Sequence, residues 1–133
     1  MSAPALVPEL TVTDLATSLV FYRDLLGFSV RYSRLDEGFA FLDRGQASLM
    51  LDQMAIGRDW VTGPLAPPFG RGINLQIEVD RLEPLLERLA VAGITLFQPV
   101  ETRRYQAGAQ ILTQRQFCVQ DPDGYLLRFC AFA

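Results

Sequence analysis

The sequence of 133 residues contains no histidine and no lysine, so all twelve of its basic residues are arginines. Without histidine there is no imidazole to act as a general base, to activate a serine or cysteine, or to ligate a metal. Without lysine there is no Schiff-base chemistry and no P-loop contact to a phosphate. These absences leave carboxylates, arginines and neutral polar groups as the candidates for function.

Cysteine is scarce, and the charged residues are not clustered. Cys118 and Cys130 form no C-x-x-C pair and stand in apolar runs, so we expect small buried thiols rather than a disulfide. The net charge of −3 comes without an arginine cluster, which predicts no nucleic-acid partner. Residues 1–5 do not have the pattern of a signal peptide, and no run approaches the ~18–20 apolar residues of a membrane span. We expect a cytoplasmic protein with no membrane partner.

A strand, an aspartate, an amphipathic helix and a closing glycine occur twice along the chain. Val12 corresponds to Val79, and Gly27 to Gly93, at a separation of half the chain length. Such a repeat indicates a duplicated module. The sequence therefore predicts a single domain with module one at 6–52, a Pro- and Gly-rich linker at 53–70, and module two at 71–133.

The two helices carry start and stop signals. Asp14 is the predicted N-cap of the first helix, which Gly27 ends. Asp80 is the predicted N-cap of the second, with Glu83 three residues later as a capping box and Gly93 near its end. The further strands are predicted near 29–35, 39–44, 47–52, 95–102, 111–120 and 125–132, with 103–110 as a loop that module one lacks. Two βαβββ modules of the α+β class follow.

Alternation along the strands indicates which side of each sheet is polar. Ile73, Leu75, Ile77 and Val79 are expected to pack under a helix, and Asn74, Gln76 and Glu78 to share the opposite face. Arg128, between Leu127 and Phe129, and Glu9 belong to the same kind of face. This pattern predicts a polar concavity, although a sheet with one face in water gives the same alternation. Of the apolar run 39–42, either the Phe39 and Phe41 pair or the Ala40 and Leu42 pair faces the core.

The sequence resembles the vicinal oxygen chelate superfamily, which includes glyoxalase I, extradiol dioxygenases, and fosfomycin and bleomycin resistance proteins. The resemblance covers nearly the whole chain. It rests on Val12-Thr13-Asp14-Leu15, Leu26-Gly27-Phe28, Gln76-Ile77-Glu78-Val79-Asp80 and the ending from Gln116 to Tyr125. It implies paired βαβββ modules whose curved mixed sheets form a cleft.

Metalloenzymes of this superfamily carry one ligand on the first and one on the last strand of each module. By resemblance, these positions are Val7, Met50, Asn74 and Arg128. Valine offers no donor, arginine cannot ligate, and methionine suits a hard divalent ion poorly. A shift by two residues would bring Glu9 or Asp52 into play but no histidine. The resemblance therefore implies neither a metal nor a cofactor.

The likeness is greatest to bleomycin resistance proteins, through Arg115, Phe117, Asp121, Pro122 and Gly124 near the end of the chain. Those proteins bind the antibiotic in clefts at a dimer interface without altering it. The resemblance implies a metal-independent homodimer that binds a bleomycin-like or other flat polar molecule and has no catalytic residues. The alternatives are a metal-independent isomerase or lyase with Glu9 or Glu78 as base, and a dimer with no small-molecule role.

For each of three residues the sequence leaves two alternative roles open. Trp60 either stacks on a flat ligand or pins the linker to the core, and Tyr105 lies either in a solvated loop or in a lid. Arg128 is expected to pair with Glu78 or Glu9, to anchor a ligand, or to do both. The candidate ligand-binding residues are Glu9, Met50, Trp60, Asn74, Gln76, Glu78, Tyr105 and Arg128.

Overall fold

A computed structural model describes residues 3–132 of the chain and divides between Phe69 and Gly70 into two compact units. Each unit contains one open, mixed four-stranded sheet, so the predicted α+β class and tandem modules are confirmed. Residues 1 and 2, part of the segment in which no signal peptide is expected, and residue 133, the end of the predicted second module, lie outside the described residues. None of the described helices is both long and apolar enough to cross a membrane.

Module one has the strand order β1-β4-β3-β2, with β1 parallel to β4 and the other pairs antiparallel. Its elements are β1 (Glu9–Val12), α1 (Leu15–Leu19), a π-helical continuation (Val20–Leu25), β2 (Ser29–Arg34), a short 3-10 turn (Leu35–Glu37), β3 (Phe39–Arg44) and β4 (Ala47–Gln53). The parallel pair is possible because the helix carries the chain from one edge of the sheet towards the other.

The first helix begins where the sequence predicts. The carboxylate of Asp14 accepts a hydrogen bond from the backbone N–H of Thr17 at 3.0 Å, which confirms it as the N-cap. The helix ends before Gly27, whose φ of 80° is a left-handed conformation that glycine adopts without strain.

The strand register of module one separates a core face from an aromatic face. The core-face side chains are buried and comprise Leu10, Val12, Ala40, Leu42, Leu49 and Leu51. Phe39 and Phe41 are on the opposite, aromatic face, yet they too are buried. They are covered there by Tyr32, whose ring stacks on Phe41 at 5.4 Å, and by arginine side chains. The alternative left open by the apolar run is therefore settled in favour of Ala40 and Leu42 as the pair that faces the core.

Module two repeats the plan, with strand order β5-β8-β7-β6 and β5 parallel to β8. Its elements are β5 (Asn74–Glu78), α2 (Glu83–Val91), β6 (Gln98–Ala107), β7 (Gln110–Gln120) and β8 (Leu126–Phe132). Alternation is confirmed over β5 and the residue after it, because Ile77 and Val79 are buried and Leu75 is half-buried, whereas Asn74, Gln76 and Glu78 are exposed. It is wrong at Ile73, which is 56% exposed because it precedes the strand.

The predicted loop at 103–110 is wrong. These residues complete a long hairpin, in which β6 and β7 remain paired from Glu101 opposite Gln116 as far as Ala107 opposite Gln110. Only two residues make the turn, and Gly108 at its first position has φ +63°. A two-residue hairpin turn needs a positive φ at that position, which glycine supplies. The glycine therefore marks a tight turn between strands rather than an irregular loop.

The predicted capping box of the second helix is also wrong. The helix begins at Glu83 with Leu82 as its N-cap residue, and no side chain caps it. Leu82 is completely buried, so the chain enters the helix from the core and Asp80 lies too far upstream to cap it. The Glu83 carboxylate interacts with its own backbone N–H and accepts a hydrogen bond from Arg115 at 2.7 Å. Gly93, with φ 73°, ends the helix as predicted.

Candidate functional site

A pocket of about 220 Å³ opens on the polar face of module two, the face of its sheet that carries Gln76 and Arg128. It is lined by Gln76, Tyr105, Leu112, Gln114, Arg128 and Phe132. Register brings them together, because Gln76 lies opposite Arg128, Gln114 opposite Phe132 and Tyr105 opposite Leu112. Residues directly opposite each other on paired strands point to the same side of a sheet.

Arg128 is half-buried, and its Nε donates a hydrogen bond to Oδ1 of Asn74 at 3.1 Å. Among the described residues of module two it forms no ion pair, so the predicted pairing with Glu78 is wrong. Glu78 lies opposite Cys130, two residues further along the strand, whereas the guanidinium leans the other way towards Asn74. Glu9 is bound to Arg58 of module one instead.

Tyr105 is held in place by a chain of amide side chains. Nε2 of Gln114 donates to Oε1 of Gln116 at 2.8 Å, and Nε2 of Gln116 donates to the Tyr105 hydroxyl oxygen at 2.7 Å. The same Gln116 nitrogen donates to Oε1 of Glu101 at 3.0 Å. Tyr105 is therefore a fixed wall of the pocket within β6, and neither a solvated loop nor a lid describes its position.

The two cysteines lie on the polar face of module two and are not bonded to each other. Cys130 is buried, as predicted, whereas Cys118 is only half-buried and lies opposite Arg128. Burial raises the pKa of both thiols above its ordinary value. Because the thiolate is the nucleophilic form, both cysteines are weak nucleophiles at neutral pH.

A second pocket, of about 260 Å³, opens on the aromatic face of module one. It is lined by Arg34, Glu37, Phe39, Asp52, Ile56, Gly57 and Arg58. The guanidinium carbon of Arg34 lies 4.2 Å from the centre of the Phe39 ring, and that of Arg58 lies 5.4 Å from it. Stacking of arginine on an aromatic ring is a cation–π contact, and it covers an otherwise exposed aromatic side chain.

Arg58, in the segment after β4, interacts with two acidic residues. Its Nη1 donates to Oε2 of Glu9 at 2.5 Å and lies 3.8 Å from Oδ1 of Asp52. Its backbone N–H donates to Oδ2 of Asp52 at 2.6 Å. Asp52 is 3% exposed, and its carboxylate packs against Gly57 so closely that a Cβ atom at Gly57 would collide with it. The stability of the buried Asp52 carboxylate therefore depends on the backbone of Gly57 and Arg58, which packs against it.

The pKa of Glu9 is raised, although its carboxylate forms an ion pair with Arg58. Burial raises its pKa above the ordinary value of 4.5, Arg58 acts in the opposite direction, Asp52 adds to the increase, and Arg34 opposes it. The loss of hydration and the neighbouring negative charge together outweigh the two arginines. The environment of Glu9 therefore favours its protonated form more than water does.

Trp60 does not pin the segment 53–70 to the core, because it is 78% exposed. Its ring lies 5.1 Å from the guanidinium carbon of Arg58. The predicted role of Trp60 in attaching the linker to the core is therefore wrong. The indole remains on the surface beside the Arg58 side chain.

The residues at the superfamily's metal positions do not fit a divalent ion. In module two, the amide oxygen of Asn74 is engaged by Arg128, whose positive charge opposes a second cation. In module one, Val7 has no donor atom, and both Glu9 and Asp52, the residues brought in by a two-residue shift, interact with Arg58. Within residues 3–132 there is no group of three or more His, Cys, Asp or Glu side chains that could hold a metal.

The predicted candidates divide between the two modules. In module two, Gln76, Tyr105 and Arg128 line the pocket, Asn74 orients Arg128, and Glu78 shares the polar face without lining the pocket. In module one, none of the three candidates lines the pocket. Glu9 binds Arg58, Trp60 lies beside Arg58, and Met50 is opposite Glu9 in the parallel pair of strands.

Arg58 and Gln114 are pocket residues that the sequence analysis did not select. Gln114 is one of four glutamines at even-numbered positions of β7, Gln110, Gln114, Gln116 and Gln120, which Leu112 and Cys118 interrupt. These positions share one face of the sheet, so the sequence does contain a signal for a polar face. Arg58 comes from the irregular segment after β4, where no periodicity indicates a direction. The position of the Arg58 side chain depends on its contacts with Asp52 and Glu9, and these residues come close to Arg58 only when the chain folds.

A model of the Glyoxalase/Bleomycin resistance protein/Dioxygenase superfamily matches residues 5–129. The chain belongs to this superfamily. The family match agrees with the duplicated modules and covers every lining residue of both pockets except Phe132. No curated protein matches this superfamily member.

Solved structures of other superfamily members and related proteins are similar to this chain. TioX from Micromonospora sp. ML1 is 21% identical over 100% of both chains, with a TM-score of 0.72. A superfamily member from Alicyclobacillus acidocaldarius is 20% identical over 99% of this chain and 95% of that chain, with a TM-score of 0.61. One from Vibrio splendidus 12B01 is 38% identical over 96% of this chain and 97% of that chain, with a TM-score of 0.44. The first two establish the fold alone.

Proposed function

We propose that this superfamily member binds a small molecule stoichiometrically, without a metal and without altering it. The observation that carries the proposal is the arginine–amide pair of Arg128 and Asn74 in the pocket of module two. At this position a metalloenzyme of the superfamily needs metal ligands. An arginine there supplies hydrogen-bond donors to a ligand instead.

The walls of this pocket suit a flat, polar molecule. Tyr105, Leu112 and Phe132 provide apolar surface, while Gln76 and Gln114 provide amide groups. Binding sites for small molecules commonly combine apolar walls with a few placed polar groups. The likeness to bleomycin resistance proteins extends the proposal to a bleomycin-like antibiotic, which the protein would sequester.

The proposal includes a homodimer that completes the cleft. Pockets for drug-sized ligands occupy roughly 300–1,000 Å³, so a pocket of about 220 Å³ encloses only part of such a molecule. A second copy of the chain would supply the missing wall, as in the resistance proteins that the sequence resembles. Light scattering should give the mass of two chains, whereas the mass of one chain at micromolar concentration would contradict this part of the proposal.

A thermal-shift screen against bleomycins, mitomycins and aromatic acids tests the proposed binding. A ligand that binds only the folded protein raises its thermal midpoint by mass action. The complex is then denatured, and the mass of the released ligand is measured. We expect an unchanged mass, whereas a chemically altered product would contradict sequestration.

One observation favours a second candidate, an isomerase or lyase with a carboxylate base. Glu9 lies in a partly buried site beside Asp52, and burial raises the pKa of Glu9. Enzymes that use a carboxyl group for proton transfer raise its pKa in the same way. Glu78 remains the other candidate base. This function requires turnover, so product formation that is lost in Glu9→Gln or Glu78→Gln would support it over sequestration.

A further inference from the structure

Arg128 is the only charged residue among the six described residues that line the pocket of module two. A guanidinium carries five N–H donors and no acceptor, and within residues 3–132 Arg128 makes a single hydrogen bond, from Nε to Asn74. The two terminal nitrogens form the part of the group that can bind a planar anion side by side. A half-buried cation without an acidic partner gains stability when an anion reaches it.

Tyr105 supplies a second donor on the same pocket. Its hydroxyl oxygen already accepts a hydrogen bond from Gln116 at 2.7 Å, so its own hydrogen is the part of the group left for another acceptor. Gln116 is itself fixed by Gln114 and Glu101, which sets the direction of the hydrogen bond at Tyr105. A ligand atom between Tyr105 and Arg128 would therefore meet hydrogen-bond donors from both sides.

We propose that the ligand of this pocket carries a carboxylate, anchored by the guanidinium of Arg128 and the hydroxyl of Tyr105, with a flat apolar body between Leu112 and Phe132. The inference rests on the proposed function and names the chemistry of its ligand. A carboxylate matches the planar fork of one arginine, whereas a phosphate carries more charge than one arginine offsets. Glu78 and Glu101, on the same face of the sheet, further disfavour a dianion.

Three probes of one shape and different charge test the inference: benzoate, benzamide and benzylammonium. Each is titrated into the full-length protein at neutral pH and low salt, and binding is followed by the NMR shifts of backbone amides near Tyr105 and Arg128. We expect benzoate to bind at least about tenfold more tightly than either other probe, the factor for one hydrogen-bonded charge. Its affinity should fall as salt is added, because the anchoring charge is only half-buried.

Substitutions locate the interaction. Arg128→Met should weaken benzoate binding by about 10- to 100-fold and leave benzamide binding nearly unchanged. Arg128→Lys keeps the charge but loses the planar fork, so its loss should be intermediate. Tyr105→Phe should weaken benzoate binding by about tenfold, because it removes one hydrogen bond to the carboxylate. Arg115→Met is the matched control, because Arg115 lies on β7 but is bonded to Glu83 away from the pocket, and it should bind benzoate as the parent does.

The outcomes separate this inference from the proposed function. Equal affinity for benzoate and benzamide would overturn the proposal that the ligand carries a carboxylate. The pocket would then still bind a small molecule, but without a preference for a negative charge. Tighter binding of benzylammonium, more effective competition by inorganic phosphate, or benzoate binding that survives Arg128→Met in a folded variant would also overturn it. If none of the three probes binds at millimolar concentration, both the carboxylate and this pocket's proposed binding role are wrong.

Discussion

Asp52 shows how much a single buried charge depends on its backbone surroundings. It is 3% exposed, and its carboxylate accepts from the backbone N–H of Arg58 and lies near the Arg58 guanidinium. A buried carboxylate is stable only if its lone pairs are satisfied. Gly57 makes this possible because it has no side chain where the chain crosses the carboxylate.

We predict that Gly57→Ala destabilises the protein by about 1–3 kcal/mol, the usual effect of overpacking a dense site. The added Cβ would lie closer than 3.0 Å to the Asp52 carboxylate, so the segment would have to move away from it. Urea denaturation measures the loss. Gly63→Ala is the control, because a Cβ there meets nothing within 4 Å and the change should be neutral or slightly stabilising.

Glu9 predicts a pH dependence opposite to that of a simple surface ion pair. Its pKa is raised in the folded protein, chiefly by burial, so folding favours its protonated form. The free energy of unfolding of the parent, relative to Glu9→Gln, should therefore increase as pH falls from neutral towards the ordinary value of 4.5 and level off below it. Denaturation of both proteins across this range checks the sign. A relative stability that falls with decreasing pH would show that the attraction of Arg58 outweighs burial.

At the scale of elements, the two helices start in different ways. Asp14 caps the first helix through its side chain, whereas the second begins at a buried leucine without a side-chain cap. The same sequence signal, an aspartate before an apolar run, precedes both. The burial of Leu82 sets the second helix start apart, and burial is a tertiary property.

This difference predicts unequal effects of two similar substitutions. Asp14→Ala removes the hydrogen bond to the Thr17 backbone N–H and should lower the thermal midpoint by a few degrees. Asp80→Ala removes no capping bond of the second helix and should change stability by less than about 0.5 kcal/mol. Thermal unfolding monitored by circular dichroism compares the two. Equal losses would mean that Asp80 does contribute to the start of the second helix.

Strand periodicity was the most reliable guide to the elements. Alternation placed Gln76 and Arg128 on one face correctly, because side-chain direction along a strand is fixed by the backbone. It could not reveal that residues 103–107 continue a strand, since a glycine marks a loop and a two-residue turn equally well. It also could not choose a partner for Arg128, because Asn74 and Glu78 occupy equivalent positions on the neighbouring strand.

At the scale of the molecule, one duplicated plan carries two different pockets. In module one the pocket arginine Arg58 is engaged by the carboxylates of Glu9 and Asp52, whereas in module two Arg128 donates to the amide of Asn74. The family and the tandem fold follow from motifs that the sequence displays. The difference between the pockets does not, because it depends on residues distant in sequence, such as Arg58 and Glu9, that meet only after folding.

We propose that this superfamily member holds its ligand without a metal and returns it unchanged. Native mass spectrometry tests it most directly, on protein purified without an affinity tag, treated with a chelator and mixed with the tightest ligand of the thermal-shift screen. We predict a complex whose added mass is that of the intact ligand, one per chain, with the same occupancy after a divalent metal is added. A complex that forms only with a stoichiometric metal ion, or that contains a product mass, would contradict the claim.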